Sequence, residues 1–301
     1  MIVPVDVTNR LLDPSVLAQI SNLELIAKTV VDGFISGLHR SPDFGFSQEF
    51  AEYRAYTPGD DLRHVDWNVY ARTEKAYLKR YRGETNTTVM VLLDVSASMG
   101  FGSGPLRKID YAKILGASLV YLAHLQRDGT GLITFADDVT NFVRPSARQG
   151  QMIRLLHGLD SATLGKRTDF ARPFFELQRV MRQRGVSVLI SDFYEDPEKV
   201  IKTVEPLRYR GNELILFHVL DALEIEPVLD GPALLLDMET EEAIETSADY
   251  ARTEYRGKIA AHIEAMRSKA QSAGLGYFLL RTDKPLDAAL REYFKMRQGK
   301  L

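Results

Sequence analysis

The fold of this chain is decided by the stretch Val89-Met-Val-Leu-Leu-Asp94-Val-Ser96-Ala-Ser98-Met-Gly100. It begins with a continuous apolar run, which is the pattern of a strand that is buried on both faces. The run ends at an aspartate, and two serines follow at alternate positions. In an open α/β sheet, ligands bind outside the carboxyl ends of the strands. The pattern D-x-S-x-S therefore places three oxygen-bearing side chains in a crevice at that edge.

These side chains are of the type that a hard divalent cation prefers. Mg²⁺ takes oxygen ligands in near-octahedral geometry and keeps some positions for water or a further ligand. The same residues allow another interpretation, in which Asp94 caps a helix and the two serines are ordinary loop residues. The short pattern by itself leaves both interpretations open.

The motif D-x-S-x-S-M-G after a buried strand resembles the metal-ion-dependent adhesion site of von Willebrand factor A domains. In that family the cation also takes a threonine from a second loop and an aspartate from the end of a third strand. The resemblance implies Thr168, which lies in a loop before a helix, and Asp192, which follows the buried run Val186–Ile190. It implies a partner carboxylate in the open coordination position. The implied ligands of Mg²⁺, or alternatively of Mn²⁺, are Asp94, Ser96, Ser98, Thr168 and Asp192.

The two downstream positions each have a competing structural interpretation. Thr168 is also a candidate N-cap beside Asp169, and Asp192 is a candidate for an Asx turn. The loop of the family more often has glycine directly before the threonine, whereas Arg167 stands there in this chain. We expect both residues to be cation ligands.

A second resemblance lies upstream of the central strand. The segments Ser47–Asn68 and Ala71–Thr73 are similar to the N-terminal signature of a bacterial family, the domain of unknown function 58. The first segment contains Thr-Pro-Gly-Asp-Asp at positions 57–61 and Asp-Trp-Asn at positions 66–68. The resemblance implies a MoxR-type AAA+ ATPase as partner, together with a client protein that the sequence does not identify.

Composition excludes several classes of protein. The 301 residues are 45% hydrophobic and 26% charged, with a net charge of −3, which is ordinary for a globular protein. The chain has no cysteine, so disulfides and Cys-ligated zinc are excluded. The N-terminus lacks the pattern of a signal peptide, and no apolar stretch reaches the roughly 20 residues of a membrane span. We predict a cytoplasmic protein with no membrane insertion.

The remaining pattern predicts an α/β fold in three parts. Residues 1–39 form a helical segment, in which the helix that begins at Asp13-Pro14 ends near Gly33. Residues 40–88 form a small β-subdomain of short extended segments, including Val65–Arg72, with Trp67 in its core. Residues 89–301 alternate strands with helix-length segments, which predicts a von Willebrand factor A-like, mainly parallel sheet covered by helices on both faces.

Function follows from this combination. No G-x-S-x-G elbow surrounds the serines, and the residues before Thr168 lack the pattern of a phosphate-binding loop. We predict a Mg²⁺-dependent protein-binding module rather than an enzyme, and an adaptor for a MoxR-type ATPase in assembling or remodelling a client. One alternative is a Mg²⁺-dependent hydrolase at the same site. Another is nucleic-acid binding through the basic strip at positions 63–82, which we do not expect because such strips are more often solvated faces.

Overall fold

The structure is a computed structural model. It describes residues 13–39, 50–55, 65–73, 75–81, 87–171, 173–175, 185–210, 212–228, 231, 233–236, 238, 243–247, 250, 254–287, 289–291 and 293.

The N-terminal part contains two helices where the sequence predicted one. Helix α1 (Pro14–Leu17) is capped by Asp13, whose carboxylate accepts a hydrogen bond from the Ser15 amide at 2.8 Å. Helix α2 (Leu23–His39) continues through Gly33, so the predicted end at that glycine is wrong. An interior glycine costs only about 1 kcal/mol relative to alanine. Here the helix is supported by apolar side chains that it buries in the main core, Phe34 among them.

The small subdomain also differs from the prediction in one element. Strands β1 (Phe50–Ala55) and β2 (Tyr77–Tyr81) pair antiparallel, but the segment between them contains helix α3 (Trp67–Thr73) instead of a strand. Asp66 begins this helix, because its backbone and side-chain oxygens accept bonds from Tyr70 N and Val69 N. Trp67 is 58% exposed, so the prediction that it forms a core is wrong. The turn predicted at residues 57–60 lies outside the described residues.

The main sheet is built from six strands. The segment of the chain between the fifth and the sixth of these strands forms a separate hairpin. The sheet strands are β3 (Thr88–Asp94), β4 (Gly129–Phe135), β5 (Val139–Ser146), β6 (Gly185–Ser191), β7 (Glu213–Leu220) and β10 (Gly276–Arg281). The hairpin consists of β8 (Ala233–Leu236) and β9 (Ala243–Thr246). The sheet order is β5-β4-β3-β6-β7-β10, and only β4 and β5 pair antiparallel. Numbered within the sheet, this is the order 3-2-1-4-5-6 of doubly wound folds, whose switch point lies between β3 and β6.

Helices cover both faces of this sheet. Besides α2, they include α4 (Lys108–Leu125), α5 (Gln151–Asp160), α6 (Pro197–Val204), α7 (Ala222–Ile225) and α8 (Arg256–Ser272). Alternate residues of β3 enter two different cores. Val91 and Leu93 pack with α2, α4 and α5, whereas Met90 and Leu92 pack with α6 and α8. The predicted α/β class, with a mainly parallel sheet and helices on both faces, is confirmed. Within the described part of the chain, no helix has the length and apolar character needed to cross a bilayer.

One close approach between β4 and β5 gives a test of this packing. A Cβ added at Gly131 would lie 2.8 Å from Met90 Cε and 2.9 Å from Pro145 N and Val143 O. Two of these atoms are backbone, so Gly131→Ala should lower the free energy of unfolding by about 1–3 kcal/mol. Gly104→Ala is the matched control, because a Cβ there would meet nothing within 4 Å. Urea unfolding that gives equal midpoints for the two variants would contradict this packing.

Candidate functional site

Two of the predicted oxygen ligands, Asp94 and Asp192, lie at the switch point of the sheet. Asp94 is the last residue of β3, and Asp192 directly follows the last residue of β6. The two strands pair in parallel up to the partners Leu93 and Ile190, so both acids leave the sheet at the same edge. Both side chains are buried. The structure therefore brings together two acids that are 98 positions apart in the chain.

Neutral donors contact both oxygens of Asp94. Its Oδ1 accepts a hydrogen bond from the Ser96 amide at 2.8 Å, and its Oδ2 accepts one from Ser191 Oγ at 2.6 Å. Ser191 Oγ also accepts a bond from the Phe193 amide at 3.0 Å. The sequence analysis missed Ser191. Its position at the end of a buried strand beside Asp192 was the available signal, because such residues share the crevice edge.

The two serines of the motif lie beside each other in the crevice. A 3₁₀ turn at Ala97–Gly100 brings Ser96 Oγ and Ser98 Oγ to 3.0 Å from each other. The side chain of Ser96, which precedes this turn, makes no capping bond to it. Of the interpretation in which Asp94 caps a helix, the structure shows only the local hydrogen bond from the Ser96 amide to the Asp94 carboxylate. That bond uses the backbone amide and does not involve the Oγ atoms of Ser96 and Ser98, which both lie at the crevice.

Backbone hydrogen bonds fasten the Thr168 loop to the motif. Gly165 N donates to Val95 O at 2.6 Å, Ala97 N donates to Lys166 O at 3.0 Å, and Asp169 N donates to Ala136 O at 2.8 Å. Thr168 itself is half-buried. The carboxylate of Asp169 accepts a bond from the Ala171 amide at 2.8 Å, so Asp169 has a capping contact of its own. That Thr168 is a ligand stays a prediction.

A lysine that the sequence analysis did not single out occupies the other side of the crevice. Lys108 Nζ donates to Asp192 Oδ2 at 2.7 Å and to Glu224 Oε1 at 2.6 Å, and its side chain is completely buried. The ammonium also lies 4.7 Å from the centre of the Tyr194 ring. Lys108 is 84 residues from Asp192 and 116 from Glu224, so no local pattern connects them.

The polar network continues to the ends of β7 and β10. Glu224 Oε2 accepts a bond from the Asp221 amide at 2.8 Å, which completes a capping box at the start of α7. The Asp221 carboxylate in turn accepts bonds from Ser103 N at 3.0 Å and Thr282 Oγ1 at 2.9 Å. The carboxyl ends of all four strands β3, β6, β7 and β10 are therefore joined by one set of buried acids and their donors.

The charges in this network are unequally compensated. Burial, and then the charge of Asp192, raises the pKa of Asp94 to about 7, although bonds from Ser191 and Ser96 oppose the shift. Burial lowers the pKa of Lys108, but Asp192 and Glu224 outweigh that effect and raise it, so the ammonium stays charged. Burial also raises the pKa of Glu224, against the opposing charge of Lys108.

A strained residue directly follows Asp192. Phe193 has φ of 50°, a left-handed conformation that is costly for a non-glycine residue. Its ring is buried and stacks on Phe170 with centroids 5.8 Å apart. His262 Nε2 on α8 lies 3.0 Å from Phe193 O. Packing and a hydrogen bond therefore hold a backbone conformation that the residue would not adopt alone.

Whether a cation could bind here depends on the ligand atoms that the site offers. In the part of the chain that the structure describes, no group of three or more His, Cys, Asp or Glu side chains could hold a metal ion. A cation here would need the two carboxylates together with hydroxyls. Hard oxygen ligands of this kind suit Mg²⁺, which commonly binds through one or two carboxylates and retains water. The buried Asp94, met only by neutral donors in its hydrogen bonds, fits such an ion.

Comparisons with known proteins bear on the identity of the chain. The family model described as "Protein of unknown function DUF58" matches residues 52–265. Uncharacterized protein Rv1480 of Mycobacterium tuberculosis is 32% identical over 278 residues, which cover 90% of this chain and 86% of the relative. A shorter relative, uncharacterized protein MAV169 of Mycobacterium avium, is 29% identical over 161 residues, 52% of this chain and 94% of its own length.

Solved structures show a more distant likeness. The crystal structure of the conserved hypothetical protein BatB from Bacteroides thetaiotaomicron has a TM-score of 0.45 at 18% identity, over 70% of this chain and 99% of that one. The von Willebrand factor A domain of SpRpn10 has a TM-score of 0.41 at 14% identity, over 68% of this chain and 93% of that domain. The family match and the 32% identity over 90% of the chain show that this protein belongs to the DUF58 family.

Proposed function

We propose that this protein is a Mg²⁺-dependent protein-binding module. The observation that carries the proposal is the meeting of two buried carboxylates, Asp94 and Asp192, with the serines of the D-x-S-x-S motif at the switch point of the sheet. Open α/β sheets bind their ligands at this position. In this family member, the residues at that position carry carboxylate and hydroxyl oxygens, which are ligands that a hard cation prefers.

The charge balance supports a cation in the crevice. Burial, and then the charge of Asp192, raises the pKa of Asp94, so the ionised carboxylate is disfavoured in the metal-free site. Lys108 compensates Asp192 but makes no hydrogen bond to Asp94 in the described contacts. A dication beside Asp94 would supply the missing positive charge.

The predicted ligands would hold the cation from three different parts of the chain. Asp94, Ser96 and Ser98 would hold the cation from the β3 side, Thr168 from its loop, and Asp192 directly or through bound water. The bound ion would offer an open coordination position to a carboxylate of another protein. The backbone bonds between Ala97 and Lys166 and between Gly165 and Val95 would keep the Thr168 loop next to the ion.

The family resemblance suggests the partner. We propose that this chain acts as an adaptor for a MoxR-type AAA+ ATPase and presents a client protein to it for assembly or remodelling. Its support is membership of the DUF58 family together with a crevice that could hold a cation. The mode of binding would be a carboxylate of the partner on the cation.

Asp94→Ala tests the cation site directly. The variant should bind neither Mg²⁺ nor Mn²⁺, because it loses the carboxylate that ends β3, and isothermal calorimetry with Mn²⁺ measures this loss. Asp137→Ala is the control, since that acid is exposed in the turn between β4 and β5 and should not affect binding. Circular dichroism should show both variants folded. Unchanged Mn²⁺ affinity in Asp94→Ala would rule out the proposed ligand set.

The stability of the metal-free protein should depend on Asp94. Its folded pKa of about 7 lies above the ordinary 3.8, so the folded state binds the proton more tightly. This contribution is complete below pH 3.8 and is lost as pH rises through about 7. In EDTA, the unfolding free energy of wild type minus that of Asp94→Asn should therefore fall between pH 5 and 7, by about 1.4 kcal/mol per unit at most. Denaturant titrations that give a pH-independent difference would contradict the buried, charge-coupled environment of Asp94.

Partner and cation should strengthen each other's binding. If a partner carboxylate completes the coordination of the ion, each must raise the affinity of the other, because linkage is reciprocal. Ser96→Ala should weaken both, whereas Thr168→Ala should weaken the partner complex more than metal binding alone. Surface plasmon resonance with a purified MoxR-type ATPase in Mg²⁺ and in EDTA measures these effects. Equal binding in EDTA would exclude the metal bridge. A Thr168 that only caps a helix would instead cost about 1 kcal/mol of stability and leave the metal dependence unchanged.

A further inference from the structure

Lys108 lies at a helix position that is unfavourable for a positive charge. It is the first residue of α4, where the positive end of the helix dipole repels a cation. Its side chain is completely buried, and burial of an ammonium is costly unless it is paired. Asp192 and Glu224 supply that pairing at 2.7 and 2.6 Å. Buried ion pairs are nevertheless weak contributors to stability, since apolar replacements of similar volume are often neutral or better. The position of the ammonium therefore calls for an explanation other than stability.

The ammonium restricts what Asp192 can offer to a cation. It donates to Oδ2, and no hydrogen bond to Oδ1 is among the described contacts, so Oδ1 is the oxygen that we expect a cation to use. A cation that shared both oxygens would have to approach the ammonium and meet its repulsion. Asp192 is thereby confined to coordination through one oxygen or through a bound water.

Glu224 removes the electrostatic cost that Lys108 alone would impose on a cation. Asp94, Asp192 and Glu224 carry three negative charges when ionised, and Lys108 carries one positive charge, which leaves −2. A single dication would neutralise these four side chains, while Asp221, farther along the network, accepts hydrogen bonds from Ser103 and Thr282. Lys108 with Glu224 thus changes the geometry of Asp192 without changing the net charge around the ion.

We propose that Lys108 is a positioning residue that makes the crevice selective for Mg²⁺ and Mn²⁺ over Ca²⁺. Ca²⁺ takes six to eight oxygens and often binds a carboxylate through both of its oxygens. Mg²⁺ is smaller, demands octahedral geometry and binds through few carboxylates. An Asp192 limited to one oxygen supports the second mode and not the first. This inference rests on the proposed cation site and adds the residue that selects its occupant.

The experiment compares two double variants of the full chain. Lys108→Met with Glu224→Gln removes the buried ammonium and its second acid together, so that the net charge of the network stays the same. Lys202→Met with Glu198→Gln makes the same changes in an exposed ion pair on α6, whose atoms are 2.6 Å apart. Calorimetry gives the dissociation constants of Ca²⁺ and Mn²⁺ for each protein, and the selectivity is their ratio. Circular dichroism checks the fold.

In wild type and in the exposed-pair control, Ca²⁺ should bind more weakly than Mn²⁺ by the same ratio. In Lys108→Met with Glu224→Gln, that ratio should fall by about tenfold, the effect expected for removal of a group that orients a metal ligand. A structural role alone would weaken both ions together and leave the ratio unchanged. If the methionine variant does not fold, Lys108→Gln with Glu224→Gln keeps a neutral donor near Asp192 and should lower the ratio in the same direction.

The outcomes separate this inference from the proposed function. A ratio that is unchanged in a folded variant that binds both ions overturns the role of Lys108 and leaves the cation site standing. A wild-type protein that binds neither ion overturns the cation site and the inference with it. Lys108→Arg gives a further check, because it keeps a cationic donor and should retain the wild-type ratio if it folds.

Discussion

The ammonium of Lys108 between Asp192 and Glu224 is the interaction on which the carboxyl edge of the sheet depends. The buried acid that follows β6 and the one on α7 would otherwise lie in a low-dielectric environment without a counter-charge. The capping box of α7 and the bonds to Asp221 extend this compensation to β7 and β10. The position of each loop at this edge is therefore set by electrostatics as much as by apolar packing. Asp94, unlike Asp192 and Glu224, accepts its described hydrogen bonds from neutral donors while the charge of Asp192 lies beside it, and this makes it the point where an added cation would act.

The fold was predictable where burial is uniform. Residues 89–93 are apolar without interruption, and the structure divides residues 90–93 between two cores, as a central parallel strand requires. The prediction failed where local signals compete. Gly33 does not end α2, because packing of the helix outweighs the cost of one glycine. The segment after Val65 alternates like a strand, yet Asp66 begins a helix there by accepting bonds from two amides. Local pattern decides an element only when tertiary contacts do not oppose it.

The sequence predicted only those residues of the candidate site that lie in one short motif or that the family resemblance implies. Asp94, Ser96 and Ser98 form one motif, and Asp192 was placed by the family resemblance at the end of a buried run. Lys108 and Ser191 could not be assigned roles in this way. Lys108 reaches Asp192 across 84 residues, because parallel strands bring distant loops to one edge. Ser191 lies beside Asp192, but its bond to Asp94 depends on the register of β3 and β6, which no sequence pattern specifies.

The stability of the domain and the chemistry of its edge are carried by different groups. The two cores beside β3 bury the apolar side chains that hold the sheet, whereas the edge contains buried acids, a buried ammonium and a left-handed phenylalanine. Each of these edge features costs free energy that the cores must offset. Lys108 at a helix N-terminus and Phe193 at positive φ both break a local rule; the first pairs with Asp192 and the second follows it directly in the chain. Departures from local preference that converge on one side chain are expected at functional sites. Because the buried ammonium and the left-handed residue both lie next to Asp192, the costly features of this edge are centred on that side chain.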